Sequence, residues 1–382
     1  MSLRLVGFEI KKLVEQPIIF LFLFGCLLFN TGLLLTLDVN DDYLNSIKQV
    51  NIEEGQKVTP ELKETILSKE KNQRVKNDIK SVEDIYDTLQ GEELSKKIID
   101  VFQVQGNYRK KLEEKYQQLN PVITQLSKEK AALDVALGSE TLPVFNHLKN
   151  IVLKILLIES LIFACLIGLF SSTAEKLTKT DKLLLTSKIG RKVQVNKYIA
   201  GICLSLLFYI ILHLFSLSTL FLFYPMTELL DSSVSTYFLT NIYENNLLFV
   251  EIPFITWLPM SIKNYVIFSI LLGLGLLIIY FTLFFFIGLW KENMAKGLGV
   301  AIVLFCVHKG LVSYTSSKMG YFFLLLMFSP QQVLENYSFW FTETGPYTIM
   351  PFQETVVVSV SLVLLSGFSL LFSYFYSKKE VL

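Results

Sequence analysis

The chain of 382 residues is 52% hydrophobic, 13% aromatic and only 18% charged, and its formal net charge is +1. A soluble domain is typically about one quarter charged, and a nucleic-acid-binding domain is basic. The composition therefore excludes a cytosolic enzyme, a disordered chain and a nucleic-acid binder. The charges are also segregated, since residues 38–147 contain 16 Lys/Arg and 20 Asp/Glu. A water-soluble block is thus joined to a lipid-soluble remainder.

The first 16 residues have the pattern of an amphipathic helix. Apolar residues recur there at helical spacing, with charged residues between them: Leu3, Val6, Ile10 and Leu13. This pattern predicts a helix that lies along the membrane interface in contact with lipid, before Pro17 turns the chain into the bilayer. The alternative is a plain positively charged anchor for the first span.

Six segments have the length and composition of transmembrane helices. A membrane helix needs about 20 mostly apolar residues, because the hydrocarbon core is about 30 Å thick. The segments are Pro17–Leu37, Asn150–Phe170, Tyr198–Tyr224, Tyr265–Trp290, Gly297–Tyr314 and Thr355–Tyr376. The shorter apolar run Tyr321–Ser329 cannot span alone and is predicted to be re-entrant or interfacial.

The positions of the cations predict the orientation. With the N-terminus in the cytoplasm, the segments placed inside carry 14 Lys/Arg and six acids: 1–16, 171–197, 291–296 and 377–382. The outer loops 225–264 and 315–354 carry two Lys/Arg and seven acids. By the positive-inside rule, both termini are cytoplasmic and residues 38–147 lie outside the plasma membrane.

The polar block 38–147 is predicted to be helical. Thr59 and Pro60 form a helix start, and one helix face is marked by Tyr108, Leu112, Tyr116 and Leu119. These patterns predict helical hairpins or a short coiled coil. Two roles remain open for the block: it binds a substrate or partner, or it is a solvated stalk or gate cover.

The predicted fold class is an all-α integral membrane protein. It has six transmembrane helices, an N-terminal interfacial helix and an α-helical extracellular domain between the first two spans. The expected units are 1–37 (interfacial helix and first span), 38–147 (extracellular domain) and 148–382 (spans two to six, with the cytoplasmic loop 171–197).

No motif for chemistry is present in the sequence. It lacks a phosphate-binding loop, an H-E-x-x-H motif and a G-x-S-x-G motif. The four cysteines lie at scattered positions within the predicted spans: Cys26, Cys165, Cys203 and Cys306. We therefore expect no metal site, no bound cofactor and no catalytic activity on this chain.

Several ionisable residues fall inside predicted spans: Glu159, His213, His308 and Lys309. A charge at the bilayer centre costs about 2.5–3.5 kcal/mol on insertion scales, so such residues usually face protein or water. One hypothesis is a polar cluster that lines a substrate path, with Glu159 paired to Lys309 or to a histidine. The alternative is an internal or dimer-interface ion pair that only determines helix packing.

The loop 171–197 is polar at first, then has the apolar triplet Leu183–Leu185, and then becomes basic. A short helix with an exposed apolar triplet fits a groove on a cytoplasmic protein. A loop whose cations only set the topology is the alternative.

With this loop, the sequence resembles the membrane subunit of a type-2 ABC transporter. That family has an interfacial elbow helix, six spans, and a loop after the second span. The residues that follow the family's loop pattern in order are Glu175, Leu184, Leu185, Thr186, Arg191 and Lys197; the family's proline in this loop is absent. A re-entrant hairpin before the last span, which Tyr321–Ser329 and Gly345-Pro346 would supply, and an extracellular insertion after the first span also occur in the family.

The resemblance implies an ABC exporter permease without catalytic activity of its own. Glu175–Arg191 would be a coupling helix seated on a cytoplasmic ABC ATPase, which binds ATP and Mg, and the chain would pair with a second permease copy or paralogue. The implied coupling residues are Glu175, Leu183, Leu184, Leu185, Thr186 and Arg191. The cargo would be an amphipathic or hydrophobic substrate such as a peptide, antibiotic or lipid. The alternative is a membrane receptor or scaffold that senses ligands through 38–147 and signals through 171–197.

Overall fold

The computed structural model describes residues 3–37, 39–135, 138–180, 193–224, 226–237, 239–244, 248–316, 320–343 and 345–378. Their architecture is helical, as the sequence predicts. The exception is a two-stranded antiparallel hairpin, β1 (Leu239–Glu244) and β2 (Leu248–Pro253), in the loop 225–264. Adjacent β-branched and aromatic residues, such as Ile242 and Tyr243, favour a strand there.

The α-helices in chain order are α1 (Leu3–Val14), α2 (Pro17–Leu34), α3 (Asp41–Glu53), α4 (Pro60–Lys69), α5 (Gln73–Ser81), α6 (Gly91–Val101), α7 (Gly106–Gln117), α8 (Asn120–Lys128), α9 (Thr141–His147), α10 (Leu153–Leu177), α11 (Val193–Phe223), α12 (Val234–Tyr237), α13 (Ile262–Lys291), α14 (Met294–Ser316), α15 (Tyr321–Met327), α16 (Pro330–Glu335) and α17 (Gln353–Lys378). One π-helical turn, Leu148–Val152, joins α9 to α10 without a break.

Five helices in the described part of the chain are long and apolar enough to cross a membrane. They are α2, the continuous helix Thr141–Leu177, α11, α13 and α14. This number indicates a multi-pass membrane protein. The sixth predicted span lies in α17, whose described apolar part, Gln353–Ser369, is shorter. The six-span layout therefore stays a prediction.

The N-terminal helix α1 packs on the other helices rather than lying apart from them. Val6 and Leu13 are buried, and Ile10 packs against the core, whereas Leu3 is exposed. The helix ends before Pro17, which occupies the first turn of α2. The main neighbour of α1 is α11, the helix that follows the loop 171–197.

Helix α10 is the centre of the apolar bundle and packs against α11 and α13. Close approach to α13 depends on Gly168, because a Cβ atom there would lie 2.8 Å from the carbonyl oxygen of Phe281. On the other side of α10, Phe163 stacks on Phe208 of α11 with ring centroids 4.0 Å apart. These contacts make α10 and α11 a closely packed pair.

The polar block consists of short helices, among which α6 packs on α7, and it packs onto the loops 225–264 and 315–354. Tyr86, Ile98 and Tyr116 share one hydrophobic cluster with Ile255 and Trp257 of the loop 225–264. The helix from α9 to α10 also passes the predicted boundary at 147 without interruption. The block is therefore in contact with the rest of the chain, and its role as a binding domain, stalk or gate cover stays open.

The short helix α15 turns back along α14. The Ser329 hydroxyl, just after α15, lies 2.8 Å from Nε2 of His308. His308 is eight residues before the end of α14, which corresponds to about 12 Å along a helix. The run Tyr321–Ser329 thus packs beside α14, and both the re-entrant and the interfacial alternatives stay open.

Candidate functional site

The predicted docking loop 171–197 is shortened from both sides, because α10 continues to Leu177 and α11 begins at Val193. Five of the predicted coupling residues lie outside the described residues: Leu183, Leu184, Leu185, Thr186 and Arg191. The candidate site is therefore defined by the two helix ends that hold this loop.

Glu175, which the resemblance assigns to the coupling loop, is buried. It lies in the last turns of α10, where only 6% of the residue is exposed. Its Oε1 accepts a hydrogen bond from Nζ of Lys12 at 3.1 Å, and its carboxylate also forms an ion pair with Lys197 of α11. Tertiary packing thus surrounds the end of α10 with α1 and α11, and the coupling role of Glu175 stays a prediction.

These contacts form an ion cluster, which we define as Glu9, Lys12, Glu175 and Lys197. Glu9 and Lys12 come from α1, and Lys197 is 1% exposed. Glu9 adds a second carboxylate whose field acts on the Lys197 ammonium. The ion cluster joins three elements: the interfacial helix, the end of α10 and the start of α11.

The burial of Glu175 and Lys197 makes each of them dependent on the other. Moving a charge out of water is unfavourable by several kcal/mol unless a partner of opposite sign and hydrogen bonds compensate it. Lys197 is buried and Glu175 is its direct partner. The pair therefore holds the end of α10 next to the start of α11. We call these paired ends of α10 and α11 the base of the loop.

A second ion pair extends this base. Lys176, beside Glu175 on α10, pairs with Glu292 in the turn between α13 and α14. Glu292 has a left-handed backbone conformation, φ 57°, which ends α13. The turn of α13 and α14 is thus attached to the same end of α10 as the interfacial helix.

The four intramembrane candidates occupy separate places. Glu159 accepts a 2.7 Å hydrogen bond from Nδ2 of Asn30, on α2. Nδ1 of His213 lies 2.9 Å from the carbonyl oxygen of Tyr209 on its own helix, and His308 contacts Ser329. Lys309 is exposed on α14. Within the described residues, Glu159 has no ion pair with Lys309 or a histidine, so the structure does not form the proposed cluster.

Another buried ion pair, which no sequence pattern predicts, connects the polar block to the loop 315–354. Lys115 of α7 is 1% exposed, and its Nζ donates to the carbonyl oxygens of Glu343 and Gly345, at 2.6 Å each. Its Nζ lies 3.8 Å from Oε2 of Glu343. Oε2 also accepts from the Tyr116 hydroxyl at 2.6 Å and from the backbone N–H of Gly345 at 3.1 Å.

Of the residues around the Lys115–Glu343 pair, only Tyr116 lies on the helix face that periodicity predicts. Lys115 lies beside it in a run of charged residues, and Glu343 lies more than 200 positions away. No local pattern distinguishes Lys115 from its exposed neighbours. The segregation of charge into residues 38–147 marks the block, but it does not show which loops the block contacts. Those contacts are visible only in the tertiary structure.

The Lys115 site predicts a pH-dependent stability of the polar block. Burial lowers the pKa of Lys115 to about 8, although the Glu343 carboxylate opposes this shift. Between pH 8 and 10.5 the unfolded chain therefore binds the proton and the folded chain does not, so folding stability rises with pH. We expect the urea midpoint for protease resistance of the block to increase from pH 8 to about 9.5.

The matched variant for this titration is Lys115→Met, which removes the titrating group and fills a similar volume. Its urea midpoint is expected to stay flat over the same range. Above pH 10 the trend reverses, because burial and the Glu343 carboxylate raise the pKa of Tyr116 well above its ordinary value. An equal rise in the variant and the natural chain would contradict the assignment to Lys115.

Comparisons with protein-family models, with curated proteins and with solved structures found no match.

Proposed function

We propose that this chain is the permease subunit of an ATP-binding-cassette exporter in the plasma membrane. The observation that carries the proposal is the ion cluster at the base of the loop 171–197. It joins the interfacial helix to the two helices that flank the predicted docking segment. A displacement of the segment would move these three elements together, which is what a coupling element requires.

The proposed assembly follows from this role. A cytoplasmic ABC ATPase binds ATP and Mg and presses on the docking segment, and a second permease copy or paralogue completes the complex. This chain itself is proposed to be non-catalytic. Its cargo is proposed to be an amphipathic or hydrophobic peptide, antibiotic or lipid, moved outward. The polar block, packed on the loops 225–264 and 315–354, would cover the exit side of the transport path. Both termini of the chain would lie in the cytoplasm.

Leu184→Asp tests the docking segment. A charge in the apolar triplet removes the contact expected in the partner's groove, at a cost of roughly 2–4 kcal/mol at a buried interface position. We expect the ATPase to co-purify with the natural chain, and ATP turnover of the complex to fall at least about tenfold in the variant.

The matched control is Leu258→Asp, at an exposed leucine in the loop 225–264. This variant is expected to retain both ATPase binding and ATP turnover. An equal loss in the two variants would reveal a folding defect and contradict the docking role. If no ATPase accompanies the natural chain, the receptor or scaffold alternative replaces the exporter.

A further inference from the structure

A groove runs along one face of α14, beside the end of α13. It has a volume of about 470 Å³ and is lined by Lys291, Lys296, Gly299, Val300, Val303 and Leu304. The five residues from α14 recur at spacings of three, one, three and one, so they form one continuous stripe of the helix. A Cβ atom at Gly299 would meet no other atom within 4 Å, so the groove is open at this position.

One end of the groove is charged, and the rest of its length is apolar. Both lysines lie at the end formed by the turn between α13 and α14, and from Lys296 to Leu304 the apolar wall extends about 12 Å along the helix. Trp290 lies at the charged end, 68% exposed, with Nζ of Lys291 3.4 Å from its ring centroid. An exposed tryptophan beside cations is typical of the headgroup level of a membrane.

The two lysines are available for an anion. The nearest acid along the chain, Glu292, is paired with Lys176. Neither Lys291 nor Lys296 forms a salt bridge with a carboxylate in the described part of the chain. Two cations above an apolar wall are complementary to a molecule with one anionic end and one hydrocarbon end.

We propose that this groove binds an anionic phospholipid. Its phosphate lies against Lys291 and Lys296, Trp290 flanks the headgroup, and one acyl chain follows Gly299, Val303 and Leu304. A free phosphate would use the cations but would leave the apolar wall uncovered, whereas a lipid occupies both parts. The proposal stands independently of the exporter function, because it requires only that α13 and α14 cross the membrane.

Trp290 is a natural reporter for the proposed lipid. The chain has three tryptophans, and Trp257 and Trp340 are buried. The full chain is placed in phosphatidylcholine vesicles with equal mole fractions of either brominated phosphatidylglycerol or brominated phosphatidylcholine. Each lysine near an anionic headgroup contributes a factor of about five in affinity. We therefore expect quenching of Trp290 to report a preference of roughly 30-fold for phosphatidylglycerol.

Lys296→Gln, which leaves the contact between Lys291 and Trp290 intact, is expected to lower the preference about fivefold. Lys309→Gln changes an exposed lysine of the same helix outside the groove and is expected to leave the preference unchanged. Equal quenching by the two lipids, or an unchanged preference in Lys296→Gln, would overturn the proposal. Displacement of brominated phosphatidylglycerol by soluble glycerol phosphate would also overturn it, by showing a phosphate site instead of a lipid site.

Discussion

Glu343→Leu is expected to lower the free energy of unfolding of the polar block by about 3–5 kcal/mol, the range for removing one partner of a buried ion pair. The substitution leaves Lys115 fully buried without a carboxylate. It also removes the acceptor of the Tyr116 hydroxyl and of the Gly345 N–H. The loss is measured as the shift in urea concentration at which a brief protease pulse cleaves residues 38–147.

Two variants separate the charge effect from a general loss of packing. Lys115→Met combined with Glu343→Leu removes both charges and is expected to recover most of the stability, since an apolar pair of similar volume often replaces a buried ion pair without loss. Arg109→Ala breaks an exposed pair with Glu113 on the same helix and is expected to change little. If the double variant is no more stable than Glu343→Leu, the buried charge is not the cause.

The second large effect is expected at the ion cluster. Glu175→Leu leaves Lys197 buried without its direct partner and releases Lys12 of α1. We expect a loss of about 3–5 kcal/mol in unfolding free energy. Under the exporter proposal, we also expect ATP turnover to become insensitive to cargo, because α1 no longer moves with α10 and α11. Cleavage by protease after α1 measures the first effect, and ATP hydrolysis measures the second.

Controls for the ion cluster lie on the same helices. Lys11→Ala removes an exposed pair with Glu15 on α1 and should leave both measurements unchanged. Glu175→Leu combined with Lys197→Met removes the buried pair and should restore protease resistance without restoring coupled ATP turnover. Normal protease resistance in Glu175→Leu alone would show that the ion cluster does not hold the helix ends.

Periodicity and apolar length were sufficient to predict the main elements. The amphipathic spacing before Pro17 predicts α1, and five of the six apolar segments correspond to long helices in the structure. These predictions succeed because a helix in lipid must satisfy its backbone hydrogen bonds internally, which makes its length and composition local properties. The hairpin of β1 and β2 was missed, because an outer loop carries no such constraint.

Only part of the candidate site could be predicted from the sequence. The resemblance places Glu175 in the loop 171–197, whereas the structure continues α10 past it and buries its carboxylate against Lys12 and Lys197. The intramembrane candidates were grouped by depth alone, and Glu159 instead contacts Asn30. Depth along a helix is determined by sequence position, but the direction of a side chain around the bundle depends on which helices become neighbours.

The segregation of charge therefore determined, by the sequence alone, which part of the chain favours water and which favours lipid. That division follows from transfer free energies, which each segment carries with it. Only the tertiary structure decided that the polar block contacts the loop 315–354 through Lys115 and Glu343. It also decided that Glu175, at the end of α10, pairs with Lys12 of α1 and Lys197 of α11. Ion pairs between residues more than 100 positions apart depend on which surfaces are buried together, and that is a property of the folded chain.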